Sequence, residues 1–317
     1  MSKDGISANF EAAERRLLSA CGIEAFSRRV ELVDPRLSVR VLEAGGGEPV
    51  VLVHGSGMSA PTWAPLMPHL GGHRLIALDL PGFGLSDPLN YGARSLRDHA
   101  VAQLTSLLGT LGLERAAIVG TSLGGMWALC LAVEAPARVS AVVSLGVPAV
   151  ALPGMRGDPF FTALSTPGLR HLVARIRPPN VAITRASLAR GAIGQRAAKR
   201  APDGFFAVVR EGMRQPGYRT AMLSHMWLAM RRGRPLPQNF LVEAELRRIA
   251  APVLMIWGDA DPYGPPDIGQ RAAALIPNAE LEVIPARHAP FLDDPQRCAA
   301  AISDLLRTAA SPSRDTP

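Results

Sequence analysis

The stretch Gly120-Thr121-Ser122-Leu123-Gly124 constrains this chain more than any other, because of its flanks. Ala116-Ala117-Ile118-Val119 before it is short, apolar and strand-like, and Gly125-Met126-Trp127-Ala128-Leu129-Cys130-Leu131-Ala132 after it is apolar and rich in helix formers. A strand that passes directly into a helix needs a sharp turn, and that turn strains the backbone and lifts the Ser122 hydroxyl clear of the sheet. Gly120 and Gly124 remove the β-carbons that would collide where strand and helix approach. The start of the helix directs its free N–H groups at the same place, which suits a developing negative charge.

The rest of the chain supplies a setting for this turn. Arg29–Val33 and Leu37–Val41 flank Asp34-Pro35-Arg36 as a hairpin, and further strands are expected at 49–53, 74–79, 139–145, 252–257 and 279–284. Helical sequence lies between them at 96–111 and 268–275, with a last helix over 295–306. Alternation of this kind predicts an α/β protein whose mostly parallel central sheet carries helices on both faces. Residues 148–246 break the alternation with helical patches, Pro and Gly punctuation and no convincing strand. They are expected to form an inserted helical cap over the edge of the sheet where ligands bind. The expected division is a helical extension over 1–27, with a helix from about Ser7 to Gly22, a core over 28–147 and 247–310, the cap over 148–246 and a flexible tail over 311–317.

A chain of 317 residues with 48% apolar residues can bury a large core. No apolar run reaches the ~18 residues of a membrane span, and the N-terminus lacks the pattern of a secretory signal. Cys21, Cys130 and Cys298 are odd in number and widely spaced, which argues against a disulfide framework and for a cytoplasmic location. The net charge of +7 is unevenly spread: residues 150–248 hold 17 Lys/Arg against 5 Asp/Glu, and the remainder 17 against 22. No nucleic-acid motif accompanies the excess, so nucleic acid is not an expected partner. The basic segment reads first as a solvated surface, with contact to a membrane or another anionic surface as the alternative.

Acyl transfer by a serine requires a base, an acidic residue that orients the base, and donors for the oxyanion. His288 follows the last strand in Ala286-Arg287-His288-Ala289-Pro290, and Asp261 follows the preceding strand in Trp257-Gly258-Asp259-Ala260-Asp261. Asp259 is the rival for the acid, although one of the two aspartates is expected to shape the turn. With these motifs and His54-Gly55-Ser56-Gly57 and Asp79-Leu80-Pro81-Gly82-Phe83-Gly84-Leu85-Ser86, the chain resembles the α/β-hydrolase superfamily in its capped, esterase-like branch, from about Val30 to Leu306. The resemblance implies the α/β-hydrolase fold, with Ser122 as nucleophile, His288 as general base and then acid, and Asp261 as its orienting partner. It also implies an oxyanion hole made by the backbone N–H groups of Ser56 and Leu123. Gly146–Val150 offers no carboxylate for the variant that places its acid there. Arg287 stands where many members of that family have glycine, and is expected to bring a positive charge near His288.

The expected activity is therefore cofactor-independent hydrolysis of a small carboxylic ester or lactone through an acyl-enzyme on Ser122. C–C bond hydrolysis, peracid formation and acyl transfer are alternatives on the same fold, and a receptor-like ligand-binding protein is an alternative of another class. Serine rather than aspartate at position 122 argues against dehalogenase and epoxide-hydrolase chemistry. No metal-ligand set or dinucleotide fingerprint is present in the sequence, so no metal or organic cofactor is expected. His54 is expected to brace its loop, and His69, His73 and His99 to be solvated. Met58, Trp63, Met126 and Trp127, with Met226 and Trp227 in the cap, are candidate pocket residues. Met222, Met226, Trp227 and Met230 recur at helical spacing, which favours ordinary packing. The oligomeric state is not legible.

Overall fold

A computed structural model describes residues 3–173 and 175–310. The expected tail at 311–317 lies outside the described residues. The sheet is built from β1 (Phe26–Leu32), β2 (Leu37–Gly45), β3 (Glu48–Val53), β4 (His73–Leu78), β5 (Ala116–Thr121), β6 (Val139–Leu145), β9 (Val253–Gly258) and β10 (Ala279–Ile284). A two-residue hairpin, β7 (Met230–Arg231) with β8 (Arg234–Pro235), stands apart from it. The strand order is β1-β2-β4-β3-β5-β6-β9-β10. β2 runs antiparallel to both β1 and β4, and every later pair is parallel.

The inner strands β3, β5, β6 and β9 are apolar along most of their length because both faces of the sheet are covered there, whereas the edge strand β10 alternates. On β3, Val51 and Val53 face one apolar cluster and Val50 and Leu52 the other, the period of two that a strand imposes. The first cluster holds α2 (Leu96–Thr110), α3 (Leu123–Glu134) and the inner side of α11 (Asp267–Ala273). The second is filled from α1 (Lys3–Ala20) and α13 (Pro295–Ala310) through Phe10, Leu17, Ile302 and Leu306. α1 begins earlier than its periodicity suggested and packs on the body. Its Glu14 meets Arg40 of β2, which is 1% exposed, and Arg40 Nη1 lies 3.4 Å from Asp79. Burial pushes the Glu14 carboxyl above its ordinary pKa, and the Arg40 charge opposes that rise.

Between β6 and β9 the chain forms the inserted cap. It contains α4 (Pro159–Leu164), α5 (Leu169–Val173), α6 (Val181–Arg190), α7 (Gly194–Arg200), α8 (Phe205–Gly212) and α9 (Tyr218–Ala229), with the β7–β8 hairpin and α10 (Glu243–Leu246) before the sheet resumes. The hairpin corrects the expectation of an insertion without strands; two residues on each side are too short to leave an alternating pattern. α12 (Pro290–Asp293) follows the last strand.

Registry sets the site. Val53 pairs with Gly120, Thr121 with Leu145, Leu145 with Ile256, and Gly258 with Ile284. The strands therefore end level, and the segments after β3, β5, β6, β9 and β10 all emerge on one edge of the sheet.

Candidate active site

Ser122 joins β5 to α3 with φ 53° and ψ −113°, outside the regions an L-residue normally occupies. The glycines beside it are required by the close approach. A β-carbon on Gly120 would lie 2.1 Å from the Gly124 carbonyl carbon, and one on Gly124 would lie 1.9 Å from the Val53 carbonyl oxygen. A serine at a helix N-cap usually accepts a hydrogen bond from the first turn. Ser122 makes no such bond, so its hydroxyl is not held by the helix it begins. The first intrahelical bond runs from the Met126 N–H to the Ser122 carbonyl, and the Leu123 N–H is among those a helix cannot satisfy internally.

His288 and Asp261 meet across two neighbouring segments. The His288 Nδ1–H donates to Asp261 Oδ2 at 2.8 Å, and both residues are nearly buried. The Asp261 carboxylate is held further by N–H donors from Val147 at 3.1 Å and Tyr263 at 3.0 Å. Gly146 has φ +71°, and a β-carbon there would lie 3.1 Å from His288 Nδ1 and 3.2 Å from Asp261 Oδ2. Asp259 has the other fate considered for it: its Oδ1 accepts from the Ala286 N–H at 3.1 Å and shapes the turn. Arg287 Nη2 donates to the Gly191 carbonyl of the cap at 2.6 Å, and the His288 N–H donates to the Ala192 carbonyl at 3.1 Å. The Arg287 guanidinium thus ties the histidine loop to the cap.

Ser122, His288 and the Gly55-Ser56-Gly57 loop line one cavity of about 390 Å³, with Asp261 behind His288. Most of its wall is apolar, from Met58, Phe161, Leu188, Ile193, Met222 and Phe291 among others. Among the described residues no arginine or lysine lines it, whereas Asp158 does. Asp158 caps α4 through the Phe161 N–H at 2.7 Å and accepts from the Tyr263 hydroxyl at 3.0 Å. The Tyr263 ring in turn stands edge-on to His288, 4.4 Å between centroids.

Of the candidate pocket residues, Met58 lines the cavity and five do not. Met126 and Trp127 lie on α3, which is buried all round, so only the start of that helix reaches the cavity. Trp63 stacks on Phe291 at 5.0 Å, one layer behind the wall. Met226 packs in the core, and Trp227 is covered by the guanidinium groups of Arg170 and Arg231. Met222, named with the cap methionines, does line the cavity, while Met230 is core.

His54 braces its loop: its Nδ1–H donates to the Gly55 carbonyl at 2.8 Å and its Nε2 accepts from the Leu80 N–H at 3.0 Å. His69 is exposed and His73 half-buried, but His99 is not solvated. It is 3% exposed on the inner side of α2, with Nε2 3.0 Å from the Tyr91 carbonyl. His225 of α9 is 1% exposed, and its Nε2 accepts from the Ser56 hydroxyl at 3.1 Å while its Nδ1–H donates to the Ala221 carbonyl at 2.8 Å. Burial pushes its pKa down to about 4. Sequence reasoning missed Asp158 and Tyr263; His225, like His171, could be placed in the cap with a pocket role open to it, but its contact with Ser56 left no signal in the sequence.

A family model described as the alpha/beta hydrolase fold matches residues 48–295. A 2-hydroxy-6-oxononadienedioate/2-hydroxy-6-oxononatrienedioate hydrolase of Cupriavidus pinatubonensis is 31% identical over 247 residues, which cover 75% of this chain and 79% of that protein. The enzyme of the same name from Burkholderia vietnamiensis is 31% identical and covers 82% and 88%. Among solved structures, a 2-hydroxy-6-oxo-6-phenylhexa-2,4-dienoate hydrolase from Rhodococcus superposes with a TM-score of 0.73 at 24% identity, covering 90% of this chain and 99% of that one. A carboxylesterase from Bacillus subtilis superposes with a TM-score of 0.69 at 19% identity, covering 95% and 98%.

Proposed function

Because the chain belongs to the alpha/beta hydrolase family, we propose that it is a serine hydrolase acting on a small, uncharged, largely apolar carboxylic ester or lactone. The observation that carries this reading is the strained Ser122 turn opening into the same cavity as an Asp261-bonded His288. In this reading the Ser122 Oγ attacks the carbonyl carbon while His288 Nε2 takes its proton. Asp261 holds the imidazole in the tautomer with Nδ1–H and stabilises the imidazolium that forms. The oxyanion is received by the N–H groups of Leu123 and Ser56, each worth on the order of 100-fold or more in rate. Collapse expels the alcohol, protonated by His288, and a water activated by the same imidazole hydrolyses the acyl-enzyme.

The second reading is C–C bond hydrolysis of a ketone acid, supported by the names of the relatives at 31% identity. Those names specify a dioate, a dicarboxylate, and burying such a substrate calls for cationic partners. The cavity has no lining arginine or lysine among the described residues and already holds the Asp158 carboxylate, which favours the uncharged ester.

Initial rates on p-nitrophenyl esters of graded chain length and on 2-hydroxy-6-oxononadienedioate test the choice, with Ser122→Ala as control. The ester reading predicts the larger kcat/KM on an ester, and labelling of Ser122 by a fluorophosphonate. A larger kcat/KM on the dioate selects the second reading. No turnover of either and no labelling removes serine-hydrolase chemistry altogether.

A further inference from the structure

Ten large apolar side chains are exposed among the described residues, and six fall in one stretch of the cap: Phe160, Leu169, Leu172, Ile176, Val181 and Ile183. Leu172 and Ile176 are 63% and 70% exposed. Single exposed leucines are ordinary on any surface, whereas a concentration of this kind marks an interaction face.

The same stretch carries one sign of charge. From Pro159 to Pro202 there are eight Arg/Lys and no Asp or Glu. Arg196 is paired with Asp293, and Arg170 lies on Trp227. The exposed Arg175, Arg177, Arg190 and Lys199 have no ion-pair partner among the described residues. Charge and apolar surface also meet within one groove. Arg185, Arg190 and Lys199 wall a depression of about 810 Å³ with Val181, over a floor of Ala189, Ala198 and Phe206; its one carboxylate among the described residues, Asp203, is paired with Arg16 at 3.9 Å. The other side of α6 contributes Thr184, Ser187 and Leu188 to the Ser122 cavity, and Phe160 belongs to both the exposed stretch and the cavity wall.

A second copy of the chain answers this face poorly, because a two-fold contact would set the same unpaired cations against themselves. An anionic lipid surface answers both halves, with phosphates for the arginines and an acyl boundary for the apolar side chains. We propose that the face of the cap formed by α5, residues 175–180 and α6 docks on anionic membrane surfaces, placing the rim of the cavity at Phe160 against the lipid. This docking does not depend on which bond Ser122 cleaves.

Co-sedimentation of the full-length protein with vesicles tests it, using phosphatidylcholine alone and phosphatidylcholine with about 30% phosphatidylglycerol, a strongly anionic surface. The expected result is partition onto the anionic vesicles, weakened by salt. Leu172→Glu/Ile176→Glu and Arg175→Gln/Arg177→Gln should each lower it roughly tenfold or more. Hydrolysis of a soluble p-nitrophenyl ester should be unchanged in both variants, which reports that the fold is intact. The proposal is overturned by absence of partition, by equal partition onto neutral and anionic vesicles, or by glutamate variants that partition like the parent. It is also overturned if light scattering finds a dimer that Leu172→Glu/Ile176→Glu splits, which assigns the face to a second copy.

Discussion

His225, on a helix of the cap, accepts a hydrogen bond from the Ser56 hydroxyl at 3.1 Å, so the cap holds the loop whose N–H is a proposed oxyanion donor. Both imidazole nitrogens are committed: Nδ1–H donates to Ala221 and the bare Nε2 receives Ser56. A double-mutant cycle reads the coupling. Ser56→Ala leaves the backbone donor in place but breaks the same bond as His225→Leu, so each frees the loop and should lower kcat about fivefold with little change in KM, and the double variant should be little worse than either. The coupling expected in kcat/KM is roughly 1 kcal/mol, that of one buried hydrogen bond. Strict additivity would remove His225 from any positioning role.

The same burial makes the fold sensitive to acid. Desolvation lowers the pKa of His54, His99 and His225, so each takes up its proton less readily in the folded protein than in the unfolded chain; for His225 the two values are about 4 and about 6.5. The unfolded state then binds more protons between those values, and stability falls as pH drops through that window. Between pH 7.5 and 5.0, His225 alone should remove about 2 kcal/mol. Urea titrations at the two pH values check this, and His225→Gln should flatten the difference by about that amount.

Asp261→Asn should lower kcat on esters by about 10⁴-fold while leaving the melting temperature within a few degrees. The amide oxygen can keep the Tyr263 N–H, but its NH2 then stands where the Val147 N–H and His288 Nδ1–H had their acceptor, so it no longer stabilises the imidazolium or fixes the tautomer. Asp259→Asn should keep most of the activity, because Asp259 serves the turn at Ala286. A reversal of these two results would exchange their roles.

Much of this arrangement was legible in the sequence where backbone sterics dictate it. Gly120 and Gly124 could be read as a close approach because only glycine survives there, and Ser122 followed from them. His288 and Asp261 each follow an expected strand, and their roles, with the choice of Asp261 over Asp259, came from the resemblance to the α/β-hydrolases. The pocket was less legible, since adjacency in sequence is not adjacency across a buried helix. Met126 and Trp127 follow the serine directly, yet α3 turns them into the core. The cap was least legible: α4 to α9 lack a strand registry to fix their packing, so contacts such as Asp158–Tyr263 and His225–Ser56 arise from tertiary docking alone.

Arg40 should be the residue on which attachment of α1 depends most. Arg40→Met would leave Glu14 and Asp79 as buried carboxylates without their cation, a change that costs about 3–5 kcal/mol. Glu14→Gln keeps a hydrogen-bond acceptor for Arg40 and should cost about 1 kcal/mol. Urea denaturation of the two variants at pH 7.5 distinguishes them; equal small losses would mean that α1 is held by Phe10 and Leu17 instead.

Asp158 is where charge discrimination by the cavity should reside. Its carboxylate lines the wall near Tyr263 and His288, with both oxygens engaged, one by the Phe161 N–H and one by the Tyr263 hydroxyl. Asn keeps the helix cap and can re-pair with Tyr263 as donor, so Asp158→Asn changes the charge with little change of shape. An anionic acyl group in the cavity feels that carboxylate across a few ångströms of partly solvated space, a repulsion on the order of 1 kcal/mol. Asp158→Asn should therefore raise kcat/KM for the p-nitrophenyl hemiester of succinate about fivefold and leave that for the butyrate ester within twofold. Equal changes on the two esters would show that Asp158 shapes the cavity without filtering charge, and the preference for an uncharged substrate would lose its main support.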